Sequence, residues 1–178
     1  MNTKTTKNIS LIGFMGSGKS TIGKILADKL NFLFIDTDRV IELSEDMTIS
    51  EIFKKYGEDY FRSIESEVIR KVYLNSGCIF ACGGGVVLKK ENMKIIKNNS
   101  FVIYLSISSD RVYERLKEVK DRPLLEKDKD NKKVVIDELM KKREKLYRKF
   151  SDITIVTDNN NPELIVKEIS EKIKKKSK

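Results

Sequence analysis

Eight consecutive residues, Gly13-Phe14-Met15-Gly16-Ser17-Gly18-Lys19-Ser20, fit the pattern G-x-x-x-x-G-K-[ST] without a mismatch. The chemistry of that pattern is phosphate binding: glycines let backbone N–H groups turn toward an anion, and the N-terminus of the following helix adds partial positive charge. Lys19 has the reach to meet β- and γ-phosphates, and the Ser20 hydroxyl suits Mg²⁺. Gly16 and Gly18 permit an approach that a Cβ would obstruct. An apolar run, Ile9 to Ile12, precedes the loop and an amphipathic segment, Thr21 to Leu30, follows it. The required order of strand, loop and helix is therefore present, whereas a turn that only linked two elements would need neither the lysine nor the hydroxyl.

Other residues of reactive type recur at strand ends. The apolar run Phe32-Leu33-Phe34-Ile35 reads as a strand buried on both faces, and it delivers Asp36-Thr37-Asp38. Ligands of open α/β sheets lie beyond the carboxyl ends of the strands, so both carboxylates are expected to face the first loop. The competing reading is that Thr37 or Asp38 caps a helix starting near Arg39. The run Cys78-Ile79-Phe80-Ala81-Cys82 ends in Gly83-Gly84-Gly85, a turn where backbone can meet ligand. No acidic residue closes that strand, which leaves Asp36 as the leading carboxylate on the magnesium side. Asp38 is then suited to accept the proton of an acceptor hydroxyl, because the chain has no histidine and its general bases narrow to carboxylate, lysine or tyrosine. The same absence argues against zinc, and two cysteines four residues apart on a strand read as buried free thiols.

These groups need elements to hold them. Thr48-Ile49-Ser50-Glu51 reads as a capping box opening a helix that Gly57 interrupts. The spacing Phe61, Ile64, Val68, Ile69, Val72 continues in helical period, with Arg62 and Glu65 on one face, able to pair but worth little at a surface. A helix near Lys89 to Lys97, a strand Phe101 to Leu105 and a helix Ser109 to Val119 repeat the alternation. Residues 120–133 are mostly charged and read equally as a surface loop or as a mobile lid carrying Arg122. A helix Val134 to Phe150 has Tyr147 near its apolar side and Arg143 and Arg148 among its polar residues; a strand Ile153 to Val156 and a last helix from Pro162 follow. The expected fold class is α/β, three layers α/β/α around a five-stranded parallel sheet, in one domain spanning 1–178.

Composition sets outer bounds. Among 178 residues, 39% are hydrophobic and 35% charged, and no apolar run is long enough to cross a bilayer, so the expectation is a soluble cytoplasmic protein without a membrane partner. The formal charge of +9 owes much to helical lysines and to the basic stretch 174–178. A solvated helix end accounts for that stretch, which lacks the aromatics that single-strand nucleic-acid binders interleave, and no nucleic acid is expected. From the residues alone, the leading reading is ATP- or GTP-dependent phosphoryl transfer to a small, anionic hydroxyl compound.

The sequence resembles the shikimate kinase family from Ile9 to about Ile173. The resemblance rests on the Gly13 to Thr21 loop, Asp36-Thr37-Asp38, Phe61-Arg62-x-x-Glu65, Gly83-Gly84-Gly85, Arg122-Pro123-Leu124-Leu125 and Arg143-x-x-x-Tyr147, in that order. It implies a P-loop kinase fold with a mobile lid at about 120–133, ATP and Mg²⁺ as cofactors, shikimate as acceptor and a monomeric state. By that resemblance, Gly13, Gly16, Ser17, Gly18, Lys19, Ser20 and Thr21 hold nucleotide, Ser20 and Asp36 serve the metal, and Asp38 binds acceptor hydroxyls as candidate base. Arg62 and Arg143 grip the substrate carboxylate, Glu65 orients them, and Gly83, Gly84 and Gly85 offer backbone to the substrate. Arg122 approaches the transferring phosphate, Arg115 stacks on adenine, and Pro162 lies in the adenine-side loop, where Asn159-Asn160-Asn161 departs from the arginine of some relatives. A gluconate- or nucleoside-monophosphate-type kinase is the alternative among enzymes. A nucleotide-binding regulator or basic nucleic-acid-binding protein is the alternative outside them.

Overall fold

The computed structural model describes residues 7–119, 125, 131–158 and 161–176. In chain order the elements are β1 (Asn8–Ile12), α1 (Lys19–Leu30), β2 (Leu33–Asp36), α2 (Thr37–Glu45), α3 (Ile49–Val72), β3 (Cys78–Ala81), a 3₁₀ turn (Val86–Leu88), α4 (Lys90–Asn99), β4 (Ser100–Ser106), α5 (Ser109–Leu116), α6 (Lys132–Phe150), β5 (Ile153–Val156) and α7 (Pro162–Lys176). The strands form one five-stranded sheet in the order β2-β3-β1-β4-β5, with every pairing parallel.

Alternation along the strands builds two cores. Leu11, Ile79, Ile103, Leu105 and Ile155 meet Ile22 and Leu26 of α1 and Ile165, Val166 and Ile169 of α7. Their neighbours Ile12, Phe80, Val102 and Tyr104 point the other way, toward Ile64, Val68 and Ile69 of α3, Met93 and Ile96 of α4, and Ile136 and Tyr147 of α6. Period 2 in the strands and period 3.6 in the helices thus produce the expected three layers.

Local signals explain most boundaries. The Thr48–Glu51 capping box is present in both directions, and Gly57 breaks the ladder of α3 at φ 84 and ψ 177. Asp36, rather than Thr37 or Asp38, caps α2: its carboxylate accepts from the Asp38 N–H at 3.2 Å, so the helix begins two residues before Arg39. The strand read as buried on both faces is instead an edge strand that pairs with β3 alone, and Leu33 is 67% exposed. A short apolar run does not distinguish a central strand from an edge strand whose outer side chains stay wet. Helix α5 stops at Leu116, three residues short of the expected end, and Lys132 Nζ at the start of α6 donates to the carbonyls of Leu116, Lys117 and Val119. Lys174 and Lys175 lie exposed on the last turn of α7.

A buried polar seam runs through the second core. Ser100 Oγ donates to the Ile96 carbonyl at 2.6 Å, and Ser10 Oγ donates to Ser100 at 2.6 Å. With that hydrogen committed, Tyr73 OH, 2.6 Å away, must donate to Ser10, and Cys82 Sγ, 3.4 Å further, must donate to Tyr73. Cys78 and Cys82 are both buried free thiols, as their strand spacing predicted.

Where β1 turns into the glycine loop, Gly13 has φ 151, and an added Cβ would lie 2.5 Å from the Leu105 carbonyl oxygen and 2.9 Å from Ser17 Oγ. Backbone cannot yield there as a side-chain tip can. Gly13→Ala is expected to lower stability by about 1–3 kcal/mol, read as a reduced urea midpoint at unchanged m-value.

Candidate active site

All the loops that matter leave the carboxyl ends of the strands, and together they line a cleft of about 1330 Å³. Its wall includes Gly16, Ser17, Gly18, Lys19, Ser20 and Thr21 from the glycine loop, Asp36 and Asp38 after β2, and Glu65 of α3. Gly83, Gly84 and Gly85 after β3, Arg115 of α5, Arg143 of α6 and Pro162 of α7 complete it. Arg122 and Asn159-Asn160 lie outside the described residues, as does most of the segment 120–133.

The loop is held as a phosphate cradle by its own backbone. Gly16 and Gly18 take φ 79 and 88, and Gly18 sits at the N-cap of α1 without a side chain to block the helix end. Lys19 Nζ donates to the carbonyls of Gly13 at 3.0 Å and Phe14 at 2.9 Å, so the ammonium is stowed over the loop it serves. Ser20 Oγ donates to Asp36 Oδ2 at 2.6 Å, while Asp36 Oδ1 caps α2. One carboxylate therefore joins the loop, the end of β2 and the start of α2. Ser20 and Asp36 are hard oxygen donors side by side, the donor chemistry that Mg²⁺ prefers, and Mg²⁺ needs few protein ligands when phosphates complete its shell.

Thr37 fixes the opposite side. Its buried hydroxyl donates to the Ala81 carbonyl at 3.3 Å and accepts from Gly83 N–H at 3.0 Å, tying α2 to the glycine turn after β3. That contact brings Asp38 against the turn: a Cβ on Gly83 would lie 2.5 Å from Asp38 Oδ1 and 3.0 Å from Glu65 Oε1. Gly85 is packed on the Arg62 guanidinium with no room for a Cβ. Gly83 and Gly85 are thus spacing requirements, since side chains there would displace the acid and the arginine.

Arg62 and Glu65 do pair, at 3.0 Å, but not at a surface: Glu65 is 1% exposed. Arg62 also donates to Glu58 at 3.2 Å, and its Nε and Glu65 Oε1 have no hydrogen-bond partner among the described residues. Burial works against the arginine's charge, yet Glu65 and Glu58 more than offset it and raise its affinity for the proton. Burial dominates for Glu65 and lifts its carboxyl above the ordinary 4.5, with Arg62 opposing and Asp38 adding to the lift. Arg143 is not on a solvated face either; it is 3% exposed, with its guanidinium 5.7 Å from the Phe14 ring centroid.

Arg115 spans the cleft's far end, donating to the Gly16 carbonyl at 2.7 Å and the Thr157 carbonyl at 3.0 Å. Sequence reasoning missed this bridging role, as it missed Thr37 and the Glu58 counter-ion. Glu58 lies four residues before Arg62, which is a readable signal; the two carbonyl acceptors of Arg115 are distant in the chain and carry none.

A parallel sheet with a glycine-rich phosphate loop after β1, a lysine and serine opening α1, and an acid at the end of β2 defines the class of P-loop phosphotransferases. Within that class the chain belongs to the shikimate kinase family, whose family model matches residues 15–174. The chain is 44% identical to a shikimate kinase of Sulfurihydrogenibium sp. (strain YO3AOP1), over 96% of this chain and 99% of that one. It is 47% identical to a shikimate kinase of Thermodesulfovibrio yellowstonii, over 94% and 92%. The solved structure of shikimate kinase from Acinetobacter baumannii in complex with shikimate superposes with a TM-score of 0.93 at 33% identity, covering 97% of this chain and 96% of that one.

Burial of the Glu65 carboxyl makes stability depend on pH. Its folded-state pKa is raised, so its contribution to stability is full below 4.5 and is lost as pH rises through the raised value. Glu65→Gln removes that dependence and leaves Arg62 with Glu58. Urea titrations are expected to show the variant as stable as the parent or more so at neutral pH, with the parent gaining on it as pH falls toward 4.5.

Proposed function

We propose that the chain transfers the γ-phosphoryl group of ATP to the 3-hydroxyl of shikimate, yielding 3-phosphoshikimate and ADP. The observation that carries this reading is the shared cleft: Lys19 and Ser20 on one wall face Asp38, Glu65 and Arg143 on the other, with only the glycine turn between the acid and its neighbours. The solved relative in complex with shikimate supports the choice of acceptor.

On the donor side, backbone N–H groups of the loop and the α1 N-terminus hold the phosphates, and Lys19 leaves its carbonyl partners to bind the β/γ-oxygens. Ser20 and Asp36 would hold Mg²⁺, which neutralises phosphate charge when bound. On the acceptor side, Arg62 and Arg143 take the carboxylate and Asp38 receives the proton of the hydroxyl whose oxygen accepts the phosphoryl group, ADP departing with the bond's electrons. Filling of the cleft by both substrates excludes the water that would otherwise hydrolyse the donor. Arg115 and Pro162 form the nucleoside end, and Arg122 is assigned to the transferring phosphate by its place in the family motif.

Release of ADP across a panel of shikimate, gluconate and nucleoside monophosphates tests the acceptor; faster turnover of gluconate or a nucleotide would overturn it. Asp38→Asn is expected to lower kcat by roughly 10²-fold or more with ATP affinity unchanged in calorimetry, since only the acceptor's proton is stranded. Arg143→Ala is expected to raise KM for shikimate about 10- to 100-fold, the loss of a charge-assisted pair, and an unchanged KM would refute the carboxylate clamp.

A further inference from the structure

Tyr147 follows Arg143 by one turn of α6, so the two side chains leave the helix on the same face. Arg143 lies over Phe14 of the phosphate loop, and the Tyr147 ring stacks on Tyr104 of β4 with centroids 5.1 Å apart. The Tyr147 hydroxyl donates to the carbonyl of Gly84. At 1% exposure it has no water to turn to, and burial pushes the phenol far above its ordinary range, so it remains a donor at any working pH.

Gly84 is the middle of the turn that separates the two halves of the cleft. A Cβ there would lie at ordinary van der Waals distance, 3.5 Å, from both the Gly13 carbonyl oxygen and the Met15 nitrogen, so the turn faces phosphate-loop backbone across the width of about one methyl group. A trans peptide orients its C=O and N–H oppositely, and a hydroxyl that holds the Gly84 carbonyl toward α6 also sets the direction of the Gly85 N–H. Gly85 in turn rests on Arg62. Tyr147 thus holds a peptide that faces the donor loop on one side and packs on an acceptor arginine on the other.

We infer that Tyr147 is a positioning residue for the acceptor: its hydroxyl locks the peptide plane of the glycine turn and registers that turn against α6, so that Arg62 and Arg143 present their guanidinium groups to the same carboxylate. The inference rests on the acceptor pocket proposed above. It assigns the hydroxyl, not the ring, the specific work; the ring's stacking serves the core.

The experiment compares Tyr147→Phe with Tyr104→Phe and Arg143→Ala by steady-state kinetics for both substrates, ATP calorimetry and thermal unfolding. Tyr147→Phe keeps volume and stack but leaves a buried carbonyl without its donor, and is expected to raise KM for shikimate about tenfold while ATP affinity stays within about twofold. Tyr104→Phe deletes a phenol from the same stack without touching the turn, so its KM values are expected to match the parent at whatever stability it retains. A Tyr147→Phe enzyme with unchanged KM for shikimate, or with equal losses for shikimate and ATP, would overturn the inference. Arg143→Ala separates the two levels: if it leaves KM for shikimate unchanged, the pocket reading fails, whereas a raised KM beside a silent Tyr147→Phe sinks the positioning role alone.

Discussion

Parallel pairing is the constraint on which the rest of the molecule depends. With β1 at the centre and β3 and β4 paired to either side, each strand ends on the same edge, and four separate segments are brought to one cleft by backbone hydrogen bonds alone. Side chains then do the fine positioning. Asp36 joins the phosphate loop to α2, Thr37 joins α2 to the glycine turn, and Arg115 joins the loop to the end of β5. None of these bonds is strong alone, at about 1 kcal/mol net, but each makes the next geometrically possible.

Much of this was legible in the residues. The loop, the capping box at Thr48, the break at Gly57 and the βα alternation are local signals, carried by glycine conformations and periodicities that need no tertiary information. The sidedness of elements was less so. Leu33 belongs to an apolar run yet is exposed, because pairing order decides edge from centre. Arg143 sits in a charged stretch yet is buried, because helical spacing assigns a charged residue to water unless a partner such as the Phe14 ring or an anionic ligand is known beforehand. Likewise the triple glycine announces a turn, but only the packing of Asp38 and Arg62 against Gly83 and Gly85 explains why those two positions exclude a side chain.

The wall around Glu65 and Arg62 is built against the interest of stability. Glu65 is taken out of water and regains less from Arg62 than it loses, while Arg62 Nε and Glu65 Oε1 keep unused hydrogen-bonding capacity. Folded proteins hold such arrangements where a ligand completes them. The glycine-loop side differs in that the loop's own carbonyls accept from the Lys19 ammonium. Yet Ser17 Oγ of the same loop is buried without a hydrogen-bond partner among the described residues, so both halves of the cleft keep unused hydrogen-bonding capacity.

The seam of hydroxyls beneath the glycine turn bears on where protons travel. Its hydrogens run one way, from Cys82 through Tyr73, Ser10 and Ser100 to the Ile96 carbonyl. Burial pushes the Cys82 thiol up to about 12 and the Tyr73 phenol higher than usual. A proton accepted at the Cys82 end could move along these donations only by ending on the Ile96 carbonyl, a weak base with nothing beyond it to pass the proton to. Among the described residues, the floor of the cleft is consequently a dead end for protons rather than a conduit.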